Sequence, residues 1–188
     1  MKTFPPHFVF GTSTSAYQIE TPHDHDWQGV QAMDGHAFHS TTDHELRFEE
    51  DARLIASLAP SYRMSLMWSK LQREPLGTFN TDTVADYHRF LTSLQRKNVS
   101  IMMVLHHFTN PLWFSAKGGW EKEENIPLWL DFVQKLVREF GHYVSYWNTF
   151  NEPNVYASFG WGIGKFPPFK TNLITAARVV RNMGKAHD

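Results

Sequence analysis

Asn151-Glu152-Pro153 follows directly on an apolar run, residues 143–150. A carboxylate placed where a strand ends, beside an amide and stiffened by a proline, has the setting of an acid/base catalyst. Three other apolar runs also deliver polar groups at or just beyond their C-terminal ends. The first leads to Tyr17-Gln18-Ile19-Glu20, the second carries Arg63 and Trp68, and the third ends in His106-His107-Phe108. In a parallel α/β barrel, chemistry sits at that end of the strands. Each residue taken alone also has a plainer reading. Asn151 suits an Asx turn, Gln18 a loop hydrogen bond, and His107 a buried, satisfied ring. Arg63 suits a pairing with any buried acid, and Glu152 a simple strand-to-loop transition. Trp68, Trp120 and Trp161 read as packing rather than ligand platforms.

The elements that must position these residues alternate, short apolar runs against helical patterns, as in a parallel sheet with crossover helices. Phe8-Val9-Phe10, ending at Gly11, reads as the first strand. Thr42 or Asp43 caps a helix through about Leu58 whose apolar face is Leu46, Ala52, Ile55 and Leu58, and Pro60 stops it. Residues 61–67 form the second strand. Asn80 to Asp82 open a helix with Val84, Tyr87, Leu91 and Leu94 at helical spacing, and Asn98 terminates it. Residues 99–105 are a third strand, apolar enough to be buried on both faces. Asn125 caps the next helix, with Pro127 in its first turn; Leu130, Val133, Leu136, Val137 and Phe140 are its buried positions and Gly141 its end. Residues 143–150 are the fourth strand and 171–183 the fourth helix. Four β-α units are half of an eight-stranded barrel, which is normally ~250 residues long. A sheet of four parallel strands keeps two open edges and an uncovered apolar face, both of which invite association.

Composition narrows the function classes. With 188 residues, 18 basic against 19 acidic side chains and 41% hydrophobic content, the chain has the balance of an ordinary globular domain. No basic excess points to nucleic acid, and no acidic excess to a solvating tail. Cysteine is absent, which excludes disulfides and thiolate metal sites. The first residues, Met1-Lys2-Thr3-Phe4-Pro5-Pro6, lack a signal-like apolar stretch, and no run approaches the ~20 apolar residues of a membrane span, so a cytoplasmic location is expected. His23-Asp24-His25-Asp26, with His36 and His39, invites a metal reading, but the spacing matches no helical histidine pair and a polar loop is the simpler account. No metal and no cofactor are expected. Arg47-Phe48-Glu49-Glu50-Asp51 reads as a solvated helix face.

Phe10-Gly11-Thr12-Ser13-Thr14-Ser15-Ala16-Tyr17-Gln18-Ile19-Glu20 resembles the N-terminal signature of glycoside hydrolase family 1, the β-glucosidase family. Arg63-Met64-Ser65-Leu66-Met67-Trp68, Leu105-His106-His107-Phe108-Thr109-Asn110-Pro111, Gly118-Gly119-Trp120 and Thr149-Phe150-Asn151-Glu152-Pro153 are similar to further family segments, in the same order. The likeness spans residues 1–188 and corresponds to the N-terminal half of a (β/α)8, or TIM, barrel. It implies a retaining β-glycosidase mechanism. Glu152 would be the general acid/base, Asn151 would hydrogen-bond the sugar 2-hydroxyl, and Gln18 and His107 would bind hydroxyls across the ring. Arg63 would hold the nucleophilic carboxylate ionised and oriented.

The departures from the family pattern are specific. Family members carry the nucleophile in a Thr-Glu-Asn-Gly segment on a later strand, and that segment does not occur here. A Glu and Trp that usually bind sugar near the family's C-terminus are also missing. Lys70 replaces an Arg, Thr21 a Gly, and Phe108 the more frequent Trp. A retaining mechanism needs two carboxylates. The expectation is therefore an acid/base half that acts on β-glycosides or oligosaccharides with a complementing C-terminal half, or as a homo-oligomer. The alternative is a catalytically inactive sugar-binding or assembly module.

Overall fold

The computed structural model describes residues 3–21, 23–31, 35 and 41–188. In chain order its main elements are β1 (Gly11–Ser13), α1 (Ala16–Ile19), α2 (Phe48–Leu58), β2 (Ser61–Ser65), α3 (Trp68–Leu71), α4 (Thr81–Arg96), β3 (Ser100–His106), α5 (Leu112–Ala116), α6 (Ile126–Phe140), β4 (Tyr146–Phe150), α7 (Pro153–Ala157) and α8 (Leu173–His187). Among the described residues the four strands form one sheet in the order β1-β2-β3-β4, and every pairing is parallel. Parallel neighbours require crossovers, and α2, α4 and α6 supply them. The result is four consecutive β-α units of a (β/α)8-derived fold.

The register sorts the two faces of the sheet. Ser13, Arg63, Met102 and Tyr146 lie side by side, and two residues further along Ser65, Val104 and Asn148 form the next row. Tyr62, Met64, Ile101 and Met103 alternate with them and face the helices, where they join the main core. That core is strongly aromatic. Trp68, Phe114, Trp120, Trp129 and Phe132 are buried with ring centroids 4.8–5.7 Å apart. Trp68, Trp120 and Trp161 all lie in this helix-side packing, as their structural reading anticipated.

Several boundaries differ from the sequence expectation, each for a physical reason. The first strand is Gly11–Ser13 rather than Phe8 to Phe10. Those three side chains are exposed, and Phe4, Phe8 and Phe10 pack on one another at 4.5–5.0 Å instead of entering the sheet. Pairing starts at Gly11, where a Cβ would lie 3.1 Å from the Ser61 carbonyl oxygen. Helix α2 starts at Phe48, not at residue 42 or 43, because Asp43 is left-handed (φ 55°) and a single 3-10 turn intervenes. Leu46 is 87% exposed and Leu58 is also exposed, while Phe48 completes the buried face with Ala52 and Ile55.

Helix α6 is rotated from its expected face. Trp129, Phe132, Leu136 and Phe140 are buried, whereas Leu130 and Val137 are exposed and Val133 is half-buried. Asn125 does not cap through its side chain; its amide donates to the carbonyls of Lys117 and Gly119 at 3.2 and 2.8 Å. Asn80, by contrast, caps α4 by accepting from the Thr83 amide at 3.0 Å, and Asn98 turns left-handed after it. β4 begins at Tyr146 because residues 141–143 form a 3-10 turn, and α8 runs four residues past Met183. The helix α7 and the π-turn Ser158–Gly162 had no expected counterpart.

Candidate functional site

The sheet is parallel, so the segments leaving the C-terminal ends of β1 to β4 share one rim. Gln18 lies on α1, five residues past β1. Arg63 is on β2, His107 follows the last residue of β3, and Asn151 and Glu152 follow the last residue of β4. All five expected site residues therefore belong to the same end of the molecule.

Asn151 sits at the centre of the closest contacts. Its amide N–H donates to the His106 carbonyl at 2.9 Å, which ties the end of β4 to that of β3. Its buried side-chain Oδ1 accepts a 2.7 Å hydrogen bond from the Arg63 guanidinium. Arg63 is half-buried, and among the described residues no carboxylate pairs with it. His107 faces the same cation. Burial first, and Arg63 second, push its pKa down to about 4, so its ring is neutral near pH 7 and both donates and accepts. Its Nδ1 is buried without a partner among the described residues.

Glu152 is exposed and left-handed at φ 44°, although a proline follows it. A residue before proline is normally extended, so this conformation is strained, as positions at functional sites often are. Helix α7 starts at once, and the Tyr156 amide donates to the Glu152 carbonyl at 2.9 Å. The backbone of Glu152 is thereby fixed just past the end of β4 by the turn into α7.

Gln18 reaches the rim through a doubly anchored turn. The Ala16 amide donates to the buried Ser65 hydroxyl at the end of β2 at 2.9 Å, and Ser15 Oγ donates to Gln18 Oε1 at 2.8 Å. On the far side of the turn, buried Glu20 accepts from the Tyr87 hydroxyl at 2.7 Å and pairs with Lys70 at 3.4 Å. Lys70 also bonds Glu45. Desolvation raises the Glu20 pKa, and Lys70 and Tyr87 oppose that rise. Gln18 itself is exposed, and among the described residues it makes no hydrogen bond to His107 or Asn151.

Behind this rim lies a network that the sequence reading missed. Asn110 Oδ1 lies 3.0 Å from His106 Nε2 and 3.1 Å from Trp120 Nε1, while Nδ2 donates to the Tyr156 hydroxyl at 2.8 Å and to Asp26 at 2.7 Å. Asp26 also accepts from the Asn110 amide and from Ser115. Burial raises the Asp26 pKa to about 6 against these hydrogen bonds. His106 turns into the helix-side aromatic core, and its neighbour His107 is left to the rim. Asn110 belongs to the Leu105–Pro111 segment, but only the fold reveals that it joins Asp26, Trp120 and Tyr156.

The histidine-rich loop does not assemble a metal site among the described residues. His25 accepts from the Trp27 amide through Nδ1, and Asp26 is committed to Asn110; His36 and His39 lie outside the described residues. Among the described residues no helix is long and apolar enough to cross a membrane.

The comparison with known proteins decides the ancestry: the model of glycosyl hydrolase family 1 matches residues 1–188. The chain belongs to this family. Among its relatives, β-glucosidase 11 of Arabidopsis thaliana is 34% identical over 176 residues, covering 88% of this chain and 34% of that protein. A 1,4-β-D-glucan glucohydrolase of Thermotoga neapolitana is 30% identical, covering all of this chain and 47% of its own length. Two family structures superpose on it: a β-glycosidase from Pyrococcus horikoshii (TM-score 0.88, 35% identity, 98% of this chain and 44% of that one) and the family 1 β-glucosidase from Thermotoga maritima in complex with isofagomine lactam (TM-score 0.93, 29% identity, 99% and 45%). This family 1 chain thus spans between a third and a half of the length of these relatives.

Proposed function

We propose that residues 1–188 carry the acid/base half of a retaining β-glucosidase site, the N-terminal half of a TIM-barrel domain. Glu152 protonates the departing glycosidic oxygen, because an alkoxide leaves poorly, and later takes a proton from the attacking water. Asn151 presents its amide N–H groups to the sugar 2-hydroxyl while Arg63 holds its carbonyl oxygen. Neutral His107 and Gln18 bind hydroxyls across the ring. One observation carries the reading: a half-buried Arg63 guanidinium lies beside Asn151 with no carboxylate opposite it among the described residues. That is the place where a nucleophilic carboxylate, delivered from outside these four β-α units, is held ionised.

The second carboxylate comes from a complementing C-terminal half or from a second copy of this chain. Both open sheet edges support such closure. Tyr146 and Trp147 on β4 are 54% and 40% exposed, beside a cleft of about 430 Å3 lined by Val180, Met183 and His187, and Phe4, Phe8 and Phe10 are exposed next to β1. The test is hydrolysis of an aryl β-glucoside by the chain alone and after mixing with the C-terminal half of a family 1 relative. The reading expects turnover in the mixture and its loss with Glu152→Gln. Turnover by the monomeric chain alone would remove the need for a partner. Glucoside binding that survives Glu152→Ala, with no hydrolysis in any mixture, would leave a sugar-binding module instead.

A further inference from the structure

A strained residue keeps its conformation only where its surroundings over-determine it. Glu152, left-handed at φ 44° before a proline, is held from both sides. On its N-terminal side the Asn151 amide donates to the His106 carbonyl at 2.9 Å. On its C-terminal side the Tyr156 amide donates to the Glu152 carbonyl, also at 2.9 Å. The two anchors belong to different elements, His106 to the end of β3 and Tyr156 to α7. Both are gripped by one side chain, that of Asn110.

Asn110 is 2% exposed, and all of its polar atoms are engaged. Its Oδ1 accepts from His106 Nε2 at 3.0 Å and from Trp120 Nε1 at 3.1 Å. An amide oxygen cannot donate, so the proton of neutral His106 sits on Nε2. Asn110 Nδ2 donates to the Tyr156 hydroxyl at 2.8 Å and to Asp26 at 2.7 Å. The backbone is pinned as well: the Asn110 amide donates to Asp26 Oδ1 at 2.8 Å, and its carbonyl accepts from the Asp26 amide at 3.0 Å. A buried polar group with every donor and acceptor matched has one orientation, so it transmits position instead of absorbing it. We propose that Asn110 is a positioning residue for Glu152, fixing through His106 and Tyr156 both flanks of the strained turn that carries the acid/base residue. The inference rests on the β-glucosidase reading above for the role of Glu152. Among the described residues the hydrogen bonds of the Asn110 side chain reach none of the five site residues directly. Its effect on chemistry therefore runs through placement, to which rates are steeply sensitive.

Two variants test this. Tyr156→Phe removes one bond of the line and leaves the ring, which packs against His106, Phe108 and Trp161. Ser115→Ala removes a bond to the same Asp26 without touching the line from Asn110 to Glu152. In native-state amide exchange, position 156 should exchange about fivefold faster in Tyr156→Phe, the worth of one neutral hydrogen bond, and at the wild-type rate in Ser115→Ala. Mixed with the C-terminal half of a family 1 relative, Tyr156→Phe should cut kcat on an aryl β-glucoside about tenfold with KM held, and Ser115→Ala should match wild type. Exchange at position 156 that is unmoved, or that rises alike in both variants, overturns the positioning role and leaves the β-glucosidase reading standing. An unchanged kcat in Tyr156→Phe, or a change in KM alone, does the same. No turnover by the wild-type mixture overturns that reading and this inference with it.

Discussion

The Arg63 guanidinium, on the second strand, donates to Asn151 Oδ1, just past the fourth, at 2.7 Å across 88 residues of sequence. Asn151 is buried and Arg63 half-buried, so each satisfies a group that water reaches poorly. Replacing Asn151 by Ala strands the cation without its acceptor. A loss of about 1–3 kcal/mol follows for a hydrogen bond to a charged group, or a fall of roughly 2–12 °C in Tm for a chain this size. Differential scanning calorimetry checks it, with exposed Glu152→Gln as the control that should leave Tm in place. A Tm unchanged by Asn151→Ala would mean that the bond contributes nothing in solution.

Lys70 places a single ammonium between two carboxylates, Glu20 and Glu45. Glu20 is buried, so removing the ammonium that pairs with it is costly. Lys70→Met should destabilise by about 3–5 kcal/mol, the range for breaking a buried pair. Lys70→Arg should preserve or raise stability, because a guanidinium fork can serve both acids in fixed directions. Chemical denaturation of the three proteins decides between this and a dispensable surface lysine, for which all three midpoints would coincide.

How much of this was legible in advance follows from what each feature depends on. The β-α alternation, the N-cap at Asn80 and the rim positions of residues 18, 63, 107, 151 and 152 depend on local pattern and order along the chain, and they were readable. The face of α6 was not. Leu130 and Val137 fit a helical stripe as well as Trp129 and Phe132 do, and only the neighbouring aromatics Trp68 and Trp120 select the second set. The start of β1 was hidden for a related reason: Phe8-Val9-Phe10 has the composition of a strand, but pairing is set by the close approach of Gly11 to Ser61. Asn110 and Asp26, 84 residues apart, carry no shared sequence signal, so their junction emerges only from the fold.

Acid should destabilise the chain well before its exposed carboxylates titrate. His25, His106 and His107 each have a folded-state pKa lowered to about 4, chiefly by burial. A histidine depressed in this way stays neutral when folded while the unfolded chain takes up its proton below about 6.5. Its contribution is fully present above that pH and is lost as pH falls toward 4, at up to about 1.4 kcal/mol per pH unit for each ring. Asp26, raised to about 6, and Glu20, also raised, act in the opposite sense, because the folded state holds their protons more tightly. Three groups against two leave a net loss, so the urea midpoint should fall between pH 6.5 and 4.5. A midpoint that is flat or rises across this interval would contradict the burial of these rings.

The open edge of β4 gives the last prediction. Trp147 is aligned with Met103, which faces the helices, yet it is 40% exposed because no strand lies beyond it among the described residues. Its ring instead borders the cleft shared with Val180 and Met183. Apolar surface beside an unpaired parallel edge drives association, whether with a second copy or with a complementing half. Sedimentation velocity at increasing concentration should show reversible self-association of the purified chain, weakened at least tenfold by Trp147→Lys, since a lysine in that cleft must desolvate its charge on assembly. Adding the C-terminal half of a relative should compete with the self-association if both use this edge. A wild-type chain that stays monomeric and binds no such half would show that the β4 edge is covered in solution by this chain's own residues.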